Sequence, residues 1–257
     1  MILPVAFWSG LAGASPRLRA VRGGPDLSRI LWIGAHPDDE TLIAPLLGRQ
    51  CVDGSASCAM LVATRGENGE CGLPAGCSPD LGTVRSMEMQ SAAALLHARL
   101  IQWSLPDVMQ SVETAWPRDA LVRQIADVIE SERPTIVITF DPNHGSSCHP
   151  AHRFLGSIVV EATELVPNRP PAYFVETYYA VESGGFVFRN AVVAAPTITT
   201  FDATSTWHFL AEDVRTHQSQ FTAAQADALE QLPPEQKRVH LMPASASTTA
   251  RYDAICP

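Results

Sequence analysis

The sequence predicts an α/β protein built on a mostly parallel sheet flanked by helices. Three observations carry this expectation. The apolar runs Ile30-Leu31-Trp32-Ile33, Ala59 to Thr64 and Thr135 to Phe140 have the length and residue types of strands buried on both faces. Stretches of helical periodicity, such as Pro117 to Glu132 with Leu121, Ile125, Val128 and Ile129 on one stripe, separate them. The two kinds of segment alternate along the chain, the pattern of crossover connections and a parallel sheet.

Taken in order, residues 1–28 read as an irregular N-terminal arm or the remnant of an export signal. Gly23-Gly24-Pro25 is a breaker before the first strand, Ile30 to Ala35. A helix is expected over Asp39 to Arg49, then the strand at 59–64. A loop with four glycines and two prolines follows, running through Pro79. Leu81 to His97 has helical character, with Val84, Met87, Ala94 and Leu95 as its apolar positions. Leu100 to Leu105 reads as a short strand. Pro117 suits the first turn of the next helix, and Arg133-Pro134 ends it. Thr135 to Phe140 is the most strand-like stretch in the chain. After a loop from Asp141 to His152, a helix is expected from Arg153 to Leu165. The segments 172–180 and 187–201 are strand-rich, Trp207 to Leu232 is largely helical, and a polar tail begins at Pro243. Without repeats or a linker, the sequence reads as one domain over 29–242 with a tail at 243–257.

The 257 residues, 46% hydrophobic and 18% charged, are enough for a substantial core. A net charge of −9 without any basic cluster argues against nucleic acid or an anionic membrane as partner. No run of about 18 apolar residues is present, so no transmembrane helix is expected. Cys71 with Cys77 and Cys51 with Cys58 are possible local disulfides, with buried free thiols as the alternative. The even count of six leans towards an oxidising, exported setting over the cytoplasm.

The chemistry concentrates at two strand ends. His36 and Asp39 sit three residues apart on a strand-to-helix turn, a spacing that brings an imidazole and a carboxylate to one point. Asp38 lies beside them, placed to take a proton from a water. The alternative is a helix N-cap formed by Asp38 or Asp39 with Glu40 in the first turn. The loop after the 135–140 strand supplies His149 and His152. Both loops leave equivalent edges of one predicted sheet, where ligands bind in open α/β folds.

Ala35-His36-Pro37-Asp38-Asp39-Glu40 resembles the signature of the PIG-L/LmbE-like zinc N-deacetylases. Thr64 to Gly69, Leu81-Gly82-Thr83-Val84-Arg85 with Glu88, Thr139-Phe140-Asp141-Pro142 with His149 and His152, and His217-Gln218-Ser219-Gln220 resemble further elements of that family in the same order, over roughly residues 29 to 222. The resemblance implies a Rossmann-like fold and hydrolysis of the acetamide of an N-acetyl amino sugar. It implies a zinc ion held by His36, Asp39 and His152, Asp38 as general base, and His149 polarising the acetyl carbonyl. Which group returns the proton to the amine stays open. Arg85 and Glu67 are expected to bind substrate, Arg85 by holding sugar hydroxyls unless it pairs with Glu88 and Glu67 from beside the pocket, and His217 is expected to pack or hydrogen-bond structurally. Ala151 stands where the family usually has an aspartate that supports the histidine two positions earlier. His144 is an extra histidine, expected to face solvent. The alternatives are an amide hydrolase acting on another N-acylated small molecule, and a non-catalytic carbohydrate-binding relative.

Overall fold

The computed structural model describes residues 24–182, 185–190 and 198–246; most of the proposed N-terminal arm and of the C-terminal tail lie outside these. The run after Ser28 forms β1 (Arg29–Gly34), whose residues from Ile30 on are all buried. A 3-10 turn (Asp39–Leu42), a single helical turn α1 (Ala44–Leu47) and a π-turn (Gly48–Val52) follow. They replace the continuous helix expected over 39–49. Pro45 has no N–H for the carbonyl four residues earlier and its ring collides with it, so the helix cannot run through. Next come β2 (Ser57–Thr64), α2 (Leu81–Leu95), β3 (Ala98–Leu105), α3 (Val112–Ala115), α4 (Arg118–Glu132) and β4 (Ile136–Phe140). Pro117 caps α4 in extended conformation and does not enter its first turn. Then follow α5 (Pro150–Leu165), β5 (Ala172–Val175), β6 (Thr177–Glu182), β7 (Gly185–Asn190), β8 (Thr199–Asp202), α6 (His208–Thr216), α7 (Ala223–Glu230) and β9 (Arg238–Pro243).

The main sheet has seven strands in the order β3-β2-β1-β4-β5-β9-β8. The pairs from β3 to β5 are parallel; β9 runs antiparallel to both β5 and β8. β6 and β7 form a separate antiparallel pair. This is the Rossmann-like α/β architecture expected, with a strand-rich C-terminal part. The chain winds outward from β1 through β2 to β3, then returns to place β4 on the other side of β1. That reversal opens a crevice beyond the C-terminal ends of β1 and β4. The two predicted site loops leave from those two ends.

The core lies on both faces of the central strands. Trp32, Ile33, Met60, Ile138 and Phe140 are fully buried, and the Trp32 and Phe140 rings meet edge to face at 5.3 Å. α2 presents a different face from the one its apolar residues suggest. Arg85, Met89, Ala92 and Ala93 are buried, while Met87 is 62% exposed. Gly156 lets α5 lie directly on the end of β4, since a Cβ there would fall 2.2 Å from the Phe140 carbonyl oxygen. Disulfides join Cys51 to Cys58 and Cys71 to Cys77, and Cys148 is disulfide-bonded as well. Among the described residues, no helix is long and apolar enough to cross a membrane.

Candidate active site

The first site loop begins where β1 ends. Asp39 turns back over it, and its Oδ2 accepts the N–H groups of Ala35 (2.8 Å) and His36 (2.7 Å). That fixes the carboxylate and leaves Oδ1 pointing across the crevice. The second loop ends in α5, which starts at Pro150 and not at Arg153, because proline suits a first helical position. His149 is therefore the N-cap residue and His152 lies in the first turn, so both rings project from the rigid end of a helix.

The three predicted ligands meet. His36 Nδ1 lies 3.0 Å from His152 Nε2, and Asp39 Oδ1 lies 3.1 Å from the same nitrogen. The hydrogen-bond partners assign the tautomers. His152 Nδ1 faces the Gly145 carbonyl at 2.8 Å, so Nδ1 carries a proton and Nε2 is the atom turned towards His36 and Asp39. His36 Nε2 faces Asp107 Oδ1 at 3.3 Å, so it carries the proton and leaves a lone pair on Nδ1. His36 Nδ1, His152 Nε2 and Asp39 Oδ1 thus converge; burial opposes a charge on His152, but the Asp39 carboxylate outweighs it and raises the His152 pKa. The carboxylate and the two imidazoles therefore hold a cation between them, the His152 Nε2 proton or a metal ion in its place. Both separations at His152 Nε2 are close to the roughly 3.3 Å between donors that sit about 2.0–2.1 Å from one tetrahedral ion. The residues fit a divalent metal.

His149 also offers a nitrogen within 4.8 Å of His36 and His152, which makes a three-imidazole donor set conceivable. Asp39 is the better third donor. It carries the negative charge that a dication needs, and its carboxylate is already oriented by two backbone amides. His149 instead accepts the Ala151 N–H at Nδ1 (3.2 Å), so its proton sits on Nε2. Burial, followed by the fields of His152 and His36, pushes its pKa down to about 3. It is a neutral donor of one hydrogen bond.

Asp38 lies beside this cluster, its carboxyl pKa raised chiefly by burial and lowered in part by Arg85. Arg85 Nη2 reaches Asp38 Oδ2 at 2.9 Å and the Pro37 carbonyl at 2.6 Å, while Nη1 reaches the Gly66 carbonyl at 3.0 Å. Gly66, at φ 64°, leaves room for this guanidinium, because a Cβ would fall 2.2 Å from Nη1. Arg85 borders the cleft, yet its terminal nitrogens are committed to the first site loop and to Gly66 in the loop after β2. Glu88 pairs with neither Arg85 nor the cleft: its two oxygens accept the N–H and hydroxyl of Ser219 at 2.7 and 2.6 Å.

The cleft has a volume of about 250 Å³ and is lined by His36, Asp38, Asp39, Arg85, His149 and His152, with Asn68, Gly69, Asp107 and Met109 completing the wall. Glu67 is not among the lining residues; it stands behind them, its Oε1 accepting the Asp107 N–H at 3.0 Å. Asp107, 6% exposed, is the site residue that sequence reasoning missed. Its position just after β3, on the same sheet edge as the two recognised loops, was the available signal. His144 does not face solvent: it is fully buried, with Nδ1 accepting the Ser146 N–H and Nε2 3.6 Å from Glu176. His217 is also fully buried, and its Nε2 lies 2.5 Å from Glu40 Oε1. Burial opposes its charge, but Glu40 and then Asp213 outweigh that and raise its pKa to about 9. A larger groove of about 510 Å³, lined by Arg29, Arg133 and several prolines, lacks any such cluster.

Residues 31–163 match the family model described as PIG-L, GlcNAc-PI de-N-acetylase. A 1D-myo-inositol 2-acetamido-2-deoxy-alpha-D-glucopyranoside deacetylase of Rhodococcus opacus (strain B4) is 34% identical over 157 residues, 53% of each chain. The chain thus spans about half the length of the first curated relatives it matches. Two solved structures share the fold. One is the N,N'-diacetylchitobiose deacetylase of Pyrococcus horikoshii (TM-score 0.60, 17% identity, covering 86% of this chain and 85% of that one). The other is GalB, the 4-carboxy-2-hydroxymuconate hydratase of Pseudomonas putida KT2440 (TM-score 0.63, 14% identity, 86% and 98%). The fold therefore hosts more than one chemistry, and the family rests on the matched sequence. With the model spanning both site loops, the chain belongs to the PIG-L family.

Proposed function

We propose that this protein is a zinc-dependent deacetylase that hydrolyses the acetamide of an N-acetyl amino sugar of the N-acetylglucosamine type, releasing acetate and a free amine. The observation that carries the reading is the meeting of His36 Nδ1, Asp39 Oδ1 and His152 Nε2 beside Asp38. The matched relative from Rhodococcus opacus, a deacetylase of a 2-acetamido sugar, supports the choice of substrate class.

Zinc, when bound by these three side chains, supplies Lewis acidity for the carbonyl and lowers the pKa of water. Asp38, held by Arg85 at the edge of the cleft, accepts the proton of the attacking water. The water oxygen bonds to the acetyl carbon, and the carbonyl oxygen takes up negative charge. His149 donates its single Nε2 proton as a hydrogen bond to that oxygen and stabilises it. As the C–N bond breaks, the proton held by Asp38 passes to the departing nitrogen, and acetate and amine leave. His149 keeps its proton throughout, because its other nitrogen is occupied by a backbone donor. Asn68 and Asp107 line the wall where sugar hydroxyls can be bound.

A screen of N-acetyl amino sugars by mass spectrometry tests the proposal. The expected result is loss of one acetyl group, with acetate and amine in equal amounts, suppressed by a chelator and restored by zinc. Zinc binding with no amine release from any member of the panel would favour a carbohydrate-binding relative. Release from other N-acylated compounds alone would move the substrate class.

A further inference from the structure

Asp38 has a conformation that a residue with a side chain rarely adopts: φ is 100° and ψ −14°. Such strain persists only where surrounding contacts impose it. The carbonyl of Asp38 accepts the Thr41 hydroxyl at 2.5 Å and the Thr41 N–H at 3.1 Å. Its N–H donates to Glu40 Oε2 at 3.1 Å. The other oxygen of Glu40 accepts the His217 Nε2–H at 2.5 Å, and both residues are fully buried. His217 is brought in from the far end of α6, and the turn it starts is tied down at two further points. Ser219 donates to Glu88 on α2, and Gln220 Nε2 donates to the Glu70 carbonyl at 3.0 Å.

Glu40, Asp213 and His217 also resemble a second cation site, since their ligand atoms lie within 4.8 Å of one another and both Asp213 oxygens lack a hydrogen-bond partner. The geometry decides against it. A separation of 2.5 Å between His217 Nε2 and Glu40 Oε1 is a short, charge-assisted hydrogen bond, whereas two donors on one ion stand roughly 3 Å apart.

We infer that His217, acting through Glu40, is a positioning residue for Asp38: the buried pair holds the left-handed backbone that aims the Asp38 carboxylate at the site. The inference rests on the proposed role of Asp38 as the base. A Glu40 carboxylate without His217 is a buried charge with one weak partner, and it reorients. Asp38 then relaxes to an ordinary backbone conformation and its carboxylate swings away. A base displaced by about 1 Å costs on the order of a hundredfold in rate.

The experiment compares His217→Ala, His217→Gln, Glu40→Ala and Glu40→Gln with the zinc-loaded wild type below their melting temperatures. The readouts are kcat, KM, zinc per chain and a crystal structure. The alanine variants are expected to lose about a hundredfold in kcat, with KM nearly unchanged and one zinc per chain. The glutamine variants, which keep a donor or an acceptor at the same reach, are expected to recover most of the loss. Crystals of the alanine variants are expected to show Asp38 out of the left-handed region. A kcat per zinc-loaded molecule like that of the wild type overturns the inference, as does an Asp38 φ that stays near 100°. Parallel loss of zinc assigns the pair to the ligand set, and two zinc ions per wild-type chain assign it to a second cation site; either overturns the inference. If an alanine variant does not fold, the double variant Glu40→Leu with His217→Leu decides: a kcat per zinc-loaded molecule unchanged from wild type, together with an unchanged Asp38 φ, overturns the inference. Should wild type release no amine from any substrate, the base assignment falls, and the Asp38 backbone in the variant crystals still tests the coupling.

Discussion

Arg85 offers the sharpest contrast between a residue that binds substrate and one that builds the site. Its side chain is 5% exposed, and three acceptors, Asp38 Oδ2, Pro37 O and Gly66 O, lie within 3.0 Å of its two terminal nitrogens. Arg85→Met keeps the length of the stem and removes every donor. Removing one partner of a buried ion pair costs about 3–5 kcal/mol. The Asp38 side chain is 19% exposed, so water recovers part of the loss, and about 3 kcal/mol is the better figure. For a chain of this size that corresponds to a fall in Tm of about 6–12 °C. Arg85→Lys restores the charge without the planar fork and is expected to recover about half of it, roughly 1–2 kcal/mol. Calorimetry on the zinc-loaded variants measures the stability, and steady-state kinetics gives kcat and KM separately. The expected result is a lower Tm together with a lower kcat, since the carboxylate proposed to take the proton is no longer held. A Tm within about 2 °C of wild type, with KM raised and kcat unchanged, would refute this reasoning and return Arg85 to the sugar hydroxyls.

Other perturbations probe other parts of the structure. His152→Ala removes one of the three converging side chains and is expected to abolish stoichiometric zinc binding; unchanged zinc content by metal analysis removes it from the ligand set. A chelator should lower the Tm of the wild type but not of this variant, because a metal at a hundred times its Kd stabilises the folded state by about 2.7 kcal/mol. Asp107→Asn weakens the partner that fixes the His36 tautomer from 3.3 Å away, and competition titration should show zinc affinity about 10–100-fold lower. Gly156→Ala forces a methyl group against the Phe140 carbonyl, with an expected loss of about 1–3 kcal/mol in denaturant unfolding; no change in midpoint would mean that α5 shifts freely on β4.

The sequence made the central fold legible because buried parallel strands announce themselves as continuous apolar runs. β1, β2 and β4 fall within two residues of where those runs place them. β9 was not legible. Arg238–Pro243 is short and interrupted by Arg238 and His240, and it becomes a strand only because β5 and β8 pair with it on either side. The buried face of α2 was misread for a different reason. Arg85 enters the interior because the first site loop supplies two acceptors and the loop after β2 a third, a compensation invisible to periodicity. In the site, His36, Asp38 and Asp39 after β1 and His149 and His152 after β4 were readable from spacing and resemblance. Asp107 and the Glu40–His217 pair were not, since they depend on contacts made across 71 and 177 residues. The burial of His144 likewise follows from how its loop folds under β5, through the Ser146 hydroxyl and the Val175 carbonyl.

The account stands on one assignment: a metal held by His36, Asp39 and His152, with Asp38 as the group that moves the proton. Asp38→Asn, loaded with zinc and assayed for acetate release from an N-acetylglucosamine conjugate that the wild type hydrolyses, tests it most directly. The amide keeps the shape of the side chain and loses the basic oxygen. The account predicts one zinc per chain, as in the wild type, and a kcat reduced by about 10²–10⁴-fold. A variant that binds zinc and turns over at the wild-type rate would contradict it.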